Sequence, residues 1–205
     1  MNNIWPLVHA ERAALIADLA ALPDEAWSTP SLCDGWTVHD VAAHLVDTAK
    51  TTRRAFVASF VRARFDFDRM NADGVRRERG TTPTETLDRL REVVTLTATA
   101  PAPLDSRLVE EVLHGEDIRR PLGLTRAYPQ EAVLRALRLQ ARTSASMGGA
   151  RQLIAGLHLE ATDADLSLGE GQEVRGPALS LLLAISGRRV AAADLTGSGV
   201  PVLTA

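Results

Sequence analysis

The chain has 205 residues, with 23 basic and 26 acidic side chains and a formal net charge of -3. This length is enough to bury one sizeable core, with or without a small companion domain, and the charge balance gives no reason to expect a nucleic-acid partner. The single cysteine, Cys33, excludes an internal disulfide framework and a cysteine-cluster metal site, and it favours a reducing compartment.

The amino terminus does not have the pattern of a secretion signal, because Glu11, Arg12 and Asp18 interrupt its apolar run. The longest nearly uninterrupted apolar stretch, residues 177–185, is far shorter than the roughly 20 residues that cross a bilayer. The sequence therefore predicts a soluble, cytoplasmic protein without a membrane partner, and it leaves the oligomeric state open.

Helical periodicity dominates the first two thirds of the chain. Residues 4–22 have the spacing of an amphipathic helix. A loop rich in turn-forming residues follows, and Thr37 is a plausible N-cap for a second helix over residues 38–62. The sequence thus predicts two helices separated by a turn-rich loop.

The next segment, residues 62–82, is polar and lacks clear periodicity, so it is predicted to be a long connection. A third helix is predicted over residues 84–100, because Thr82 and Pro83 are typical of a helix start. A fourth helix begins near Asp105 and ends before Pro121. Four such helices predict a bundle.

A fifth helical stretch covers residues 128–145, after which the pattern changes. Residues 151–163 and 166–176 have the alternation and turn glycines of strands, and a compact apolar helix is predicted over residues 178–189. The carboxyl-terminal part therefore has an α+β pattern.

These elements predict a mainly α protein with two domains. Residues 1–150 are predicted to form the helical bundle, and residues 151–205 a small α+β domain. The second domain is too short to be stable by itself, so we expect it to pack against the bundle.

Two side chains of the fourth helix are candidates for one site. Glu110 and His114 are four residues apart and project from nearly the same face of a helix, at the border of its apolar stripe. A solvated ion pair is the simpler explanation for such a pair. Asp117 lies one turn further and is placed either to orient His114 or to pair with the adjacent arginines.

The second helix offers a third candidate. His39 and His44 are separated by about 140° around a helix, so they do not form a chelating pair. We expect His44 at the edge of the apolar stripe and His39 toward solvent. His44, Glu110 and His114 together supply two imidazoles and a carboxylate, which suits catalytic zinc, and equally non-heme iron, nickel or manganese, with positions left open. A lone border histidine is otherwise a packing residue.

The sequence does not contain a recognisable motif for a catalytic nucleophile. A Gly-x-Ser-x-Gly elbow is absent, and Cys33 lies in a loop without a recognisable activating partner. We therefore expect Cys33 to be a buried packing residue.

Two motifs resemble the DinB-like, mycothiol-dependent maleylpyruvate isomerase family. The segment "CDGWTVHDVAAHLVD", residues 33–47, resembles the Gly-Trp turn and metal-ligand helix of that family. The segment "EEVLHGEDIRRPLG", residues 110–123, is similar to its Glu-x-x-x-His helix, and residues 157–189 resemble its carboxyl-terminal unit. The resemblance covers nearly the whole chain.

The resemblance implies a DinB-like four-helix bundle that binds a divalent metal, usually zinc, through His44, Glu110 and His114. It also implies mycothiol as a thiol cosubstrate and a small-molecule substrate. An arginine of the carboxyl-terminal unit is expected to assist the reaction. Arg188 is the best candidate, Arg189 is its neighbour and Arg175 is a weaker one; the simpler role of Arg188 is to interact with a helix C-terminus.

Three functions remain open on this basis. The leading one is a metal- and mycothiol-dependent isomerase or thiol transferase that acts on a small electrophile. The same open site suits a metal-dependent hydrolase that uses metal-bound water. The third is a metal-binding or sensing protein without catalysis. The sequence does not identify the substrate.

Overall fold

The computed structural model describes residues 3–204. The chain forms two compact units, Met1–Ala127 and Tyr128–Ala205. This division falls earlier than the expected boundary after residue 150, because the helix over residues 130–142 packs on the apolar helix over residues 178–185 within the second unit. Within residues 3–204, none of the helices combines the length and the apolar character needed to span a membrane.

The first unit is helical. Its α-helices are Trp5–Ala20 (α1), Val38–Lys50 (α2), Arg53–Arg62 (α3), Phe67–Glu78 (α4), Pro83–Val93 (α5) and Ser106–Arg119 (α6). Helix α2 contacts α4, α5 and α6, while α1 contacts α5 and α6. Helices α1, α2, α5 and α6 therefore form the predicted four-helix bundle.

The bundle core is built from the apolar faces that the sequence predicted. Leu15 and Leu19 of α1 pack with Val41 and Leu45 of α2 and with Leu90 of α5, and all five are almost completely buried. Burying such a side chain contributes about 1.5–3 kcal/mol. Packing of these faces fixes α2 against the other helices and so determines where its polar residues lie.

The predicted second helix is in fact two helices. Helix α2 ends at Lys50, and α3 begins at Arg53 with Thr52 as its N-cap, whose hydroxyl accepts a hydrogen bond from the amide of Ala55. Thr51 has an extended backbone and donates its hydroxyl to the carbonyl of Asp47. Two adjacent threonines whose side chains bond to the backbone thus interrupt the helix.

The predicted long connection contains helix α4, so that prediction was wrong. The buried face of α4 is small, with Gly74, Val75 and Glu78, which explains why no apolar periodicity was visible. A Cβ atom on Gly74 would lie 2.4 Å from a side-chain oxygen of Asp47, so the glycine allows α4 to approach α2 closely.

The second unit is an α+β structure, as its sequence pattern predicts. It contains Gln130–Arg142 (α7), Leu157–Ala161 (β1), Ser167–Leu168 (β2), Gln172–Gly176 (β3), Ala178–Ile185 (α8) and Val200–Thr204 (α9). The sheet order is β2-β1-β3, in which β1 pairs antiparallel with β2 and parallel with β3. Helix α8 contacts both β1 and β3 as well as α7.

The first predicted strand starts later than expected. Residues 151–156 form turns, with the amide of Ile154 bonded to the carbonyl of Ala150 and the amide of Leu157 bonded to that of Ile154. Gly156 has a φ of +84°, a conformation that favours glycine, and the strand follows it. The apolar alternation before Leu157 therefore does not mark extended backbone.

Candidate metal centre

His44 is held by a well-defined helix. Helix α2 begins with a capping box, in which the amide of Asp40 donates to Thr37 Oγ1 at 3.3 Å and the amide of Thr37 donates to Asp40 Oδ2 at 2.9 Å. The apolar face of α2 lies in the core, and His44, at the edge of that face, is buried. The capping box also confirms the prediction that Thr37 is the N-cap of this helix.

Helix α6 brings Glu110 and His114 to the same place. Glu110 Oε2 lies 3.4 Å from His44 Nε2 and 3.4 Å from His114 Nε2. The rings of His44 and His114 meet edge to face, with centroids 4.8 Å apart. The three side chains that the sequence singled out thus converge, each with one ligand atom directed at a common point.

The spacing of these atoms fits a divalent ion. Ligands about 2.1 Å from a tetrahedral zinc ion lie about 3.4 Å from one another, which is the separation of Glu110 Oε2 from both imidazoles. Glu110 Oε2 is buried and has no hydrogen-bond partner within residues 3–204. Such an atom needs a positively charged or donating partner. The donor set of two imidazoles and one carboxylate suits zinc and leaves positions open.

The charge state of Glu110 agrees with this role. Burial alone would raise the pKa of Glu110, but its contacts with His114 and His44 and the positive charge of Arg107 outweigh burial and lower the pKa well below its usual value. Glu110 is therefore a carboxylate at neutral pH.

His114 has a carboxylate behind it. His114 Nδ1 lies 2.9 Å from Asp117 Oδ2, and Asp117 is completely buried. Burial alone would lower the pKa of His114, but its contacts with Asp117, Cys33 and Glu110 outweigh burial and raise the pKa well above its usual value. Asp117 therefore orients His114, which is the first of the two roles predicted for it.

Cys33 is also part of this arrangement. Its thiol donates to Asp117 Oδ2 at 3.0 Å and lies 3.7 Å from His114 Nδ1. Cys33 is half-buried and packs against the core as predicted, but its polar partners were not predicted. They come from α6, which is distant in sequence, so no local pattern indicates them.

Trp36 and Arg107 also adjoin the centre, although neither was among the site residues predicted from the sequence. The ring of Trp36 lies beside His44, with centroids 5.1 Å apart. His44 Nδ1 is buried and has no hydrogen-bond partner in the described part of the chain, so packing, including that of Trp36, orients this imidazole. Arg107 is buried one turn before Glu110, a spacing that marks it as a neighbour of Glu110 on α6.

His39 does not face solvent, contrary to expectation. It is 5% exposed, and its Nε2 lies 2.7 Å from Thr86 Oγ1. Helix α5 covers this face of α2. Burial and the positive charge of Arg79 lower the pKa of His39, and Asp40 only partly offsets them. His39 is therefore a neutral structural residue.

The predicted arginines lie in the second unit. Arg188 follows α8, is half-buried and donates from Nη1 to the carbonyl of Ser186 at 2.6 Å. Arg189 is exposed. Arg175 forms ion pairs with Glu160 and Glu173 at 3.2 Å. A role of Arg188 at the candidate metal centre stays a prediction.

The helical bundle brings one ligand atom from each of two histidines and a glutamate within 4.8 Å of one another, which makes a metal site possible. Residues 8–140 match the family model of the mycothiol maleylpyruvate isomerase N-terminal domain. The chain therefore belongs to the mycothiol maleylpyruvate isomerase family and is classed with maleylpyruvate isomerase-like enzymes.

Two solved structures have the same fold. They are the crystal structures of the mycothiol-dependent maleylpyruvate isomerase and of a variant with one histidine replaced by alanine. Each is 16% identical to this chain, with a TM-score of 0.66, and the match covers 95% of this chain and 91% of the other. No match was found among curated protein sequences. The predicted DinB-like fold is thus confirmed.

Proposed function

We propose that this protein is a metal- and mycothiol-dependent isomerase or thiol transferase that acts on a small electrophilic substrate. The observation that carries the proposal is the convergence of His44, Glu110 and His114, with Glu110 Oε2 3.4 Å from each imidazole. Membership of the mycothiol maleylpyruvate isomerase family supports the choice of the thiol. Zinc is the proposed ion, because the donor set suits it.

Each residue of the centre has a definite task in this proposal. Glu110 supplies the negative charge. Asp117 keeps a proton of His114 on Nδ1, so that Nε2 would offer its lone pair to an ion held beside Glu110. His44, Glu110 and His114 would hold the divalent ion, which would lower the pKa of a coordinated thiol so that the nucleophilic thiolate exists near neutral pH.

The nucleophilic thiol comes from outside the protein in this proposal. Cys33 contacts Asp117 and the Nδ1 side of His114, whereas the metal ligand atom of His114 is Nε2. These two nitrogens are on different sides of the imidazole ring. The sulfur of Cys33 therefore lies behind the ligand and is held by Asp117.

The proposed chemistry is reversible addition of the thiol to an electron-poor double bond, rotation about the resulting single bond and loss of the thiol. Maleylpyruvate is the first substrate to test, since the solved structures of this fold are named for its isomerisation. We propose Arg188 as the residue that binds an anionic group of the substrate, because a guanidinium pairs well with a carboxylate.

Metal analysis and thiol-dependent turnover test this function together. We expect about one divalent ion per chain, and His44→Ala and His114→Ala should each lose it while the bundle still folds. Isomerisation of maleylpyruvate should require both the metal and mycothiol. Full metal occupancy in both variants would refute the centre. Hydrolysis of esters or amides by the metal-loaded protein without thiol would instead favour the hydrolase.

A further inference from the structure

Arg107 is a buried cation beside the proposed metal ligands, but it is not itself one of them. It lies on α6 one turn before Glu110 and is 5% exposed. A buried charge is costly unless it is paired and hydrogen-bonded. The partners of Arg107 therefore indicate why an arginine is present there.

Its first partner is the helix that bears His44. Arg107 Nη1 donates to the carbonyl of Thr48 at 3.0 Å. Thr48 lies in the last turn of α2, four residues after His44 and thus on the same side of the helix. The carbonyl of Thr48 also accepts from the amide of Thr51 at 3.3 Å, and a cation is favourable at this end of a helix. Arg107 thus ties α6 to the segment of α2 that follows His44.

Its second partner is Glu110. Arg107 Nη2 lies 3.9 Å from Glu110 Oε1, whereas Oε2, the other oxygen, lies between His44 and His114. Arg107 has no other ion pair within residues 3–204, and its Nε is buried without a hydrogen-bond partner there. The guanidinium therefore attracts one oxygen of the carboxylate and leaves the other directed at the imidazoles.

We propose that Arg107 is a positioning residue of the metal centre, which orients the Glu110 carboxylate and fixes the distance between α2 and α6. The inference rests on the proposed metal-dependent function. An arginine suits the task because its fork lets Nη1 donate to Thr48 while Nη2 faces Glu110 as an ion-pair partner, whereas a lysine offers a single ammonium group. Loss of an outer contact of this kind typically weakens metal binding by about 10–100-fold.

A purely structural role would also require a buried arginine, so the test must separate metal affinity from stability. Glu11 provides the control. It is buried on α1 and accepts from Arg126 Nε and Nη2 at 3.0 Å. Glu11→Gln removes one charge of that buried ion pair on another helix, so it should lower stability and leave metal affinity unchanged.

The experiment compares the zinc dissociation constants of the wild-type full chain, Arg107→Met, Arg107→Lys and Glu11→Gln by titration against a competing chelator. Unfolding of the metal-free proteins is measured in parallel. We expect Arg107→Met to bind zinc at least about tenfold more weakly than wild type. Arg107→Lys should lie between the two, because it keeps the charge and loses the fork.

The outcomes are distinct. Wild-type affinity in Arg107→Met, or an equal loss in Glu11→Gln, would overturn the inference and leave the proposed function intact. If Arg107→Met does not fold, Arg107→Lys provides the test. A loss of zinc affinity of about threefold or more in this variant supports the inference, and wild-type zinc affinity overturns it. Failure of the wild-type protein to bind zinc would overturn the proposed function and, with it, this inference.

Discussion

Replacing Asp117 by asparagine tests how the centre controls His114. Asp117 is fully buried and accepts hydrogen bonds from His114 Nδ1 at 2.9 Å and from the thiol of Cys33 at 3.0 Å. Asparagine has nearly the same size, and its carbonyl oxygen still accepts from both donors. The substitution therefore removes the negative charge and disturbs the packing little.

The expected magnitude follows from the contact that changes. A hydrogen bond to a charged partner contributes about 1.5–3 kcal/mol and one between neutral groups about 0.5–1.5 kcal/mol. Exchanging the first for the second should therefore cost about 1–1.5 kcal/mol, or about 5–12-fold in metal affinity. This is the lower end of the roughly 10–100-fold loss that is typical when a partner behind a metal-bound imidazole is removed. In the metal-free protein, the pKa of His114 should fall toward its ordinary value, because Asp117 is the strongest of the contacts that raise it.

The raised pKa of His114 also predicts how stability depends on pH. The protonated imidazole stabilises the metal-free folded protein fully below the unfolded-state pKa of about 6.5. This contribution is lost as the pH rises through the higher folded-state pKa. The difference in unfolding free energy between wild type and Asp117→Asn should therefore shrink over that window.

Zinc titration against a chelator and a proton NMR titration of His114 measure both effects. Cys33→Ser is the matched control, because serine still donates to Asp117 and should change zinc affinity much less. If Asp117→Asn has the zinc affinity and the His114 pKa of the wild type, Asp117 does not control the imidazole and the reasoning is refuted.

Three further predictions concern the pH dependence of zinc binding and the stability of the first unit. Zinc affinity should fall by up to about tenfold per pH unit as the pH drops below the raised pKa of His114, because the ion competes with a proton; a pH-independent dissociation constant would contradict this. Thr37→Ala should cost about 1 kcal/mol of unfolding free energy in urea, since it removes the capping box, and no loss would contradict that role. Val57→Ser should change unfolding by less than about 0.5 kcal/mol, because Val57 is 54% exposed on α3; a larger loss would show that α3 has an apolar partner.

The sequence was sufficient to predict the parts of the fold that have strong periodicity. The bundle helices and the N-cap at Thr37 follow from apolar spacing and capping residues, and the structure confirms them. The sequence also predicted that His44, Glu110 and His114 lie at the borders of apolar faces, because helix geometry determines which residues of one helix share a face. That the two helices meet at this point depends on tertiary packing, which periodicity does not specify.

The missed features share a physical cause: each depends on a contact made by residues distant in sequence. Helix α4 presents a glycine to Asp47 instead of an apolar stripe. His39 is buried because α5 covers it and Thr86 satisfies its ring nitrogen. Cys33 meets Asp117, which is 84 residues away in the chain. Local patterns carry no signal of such contacts.

The position of Cys33 explains why a protein of this family would use an external thiol although it has one of its own. A thiol that donates to the carboxylate behind His114 is already hydrogen-bonded, and its sulfur is 3.7 Å from Nδ1, the nitrogen that does not face Glu110. Moving the sulfur to the other side of the ring would break its bond to Asp117 and remove a contact behind His114. Cys33 therefore contributes to the candidate centre as a hydrogen-bond donor, and in the proposed reaction the nucleophilic sulfur belongs to a separate thiol.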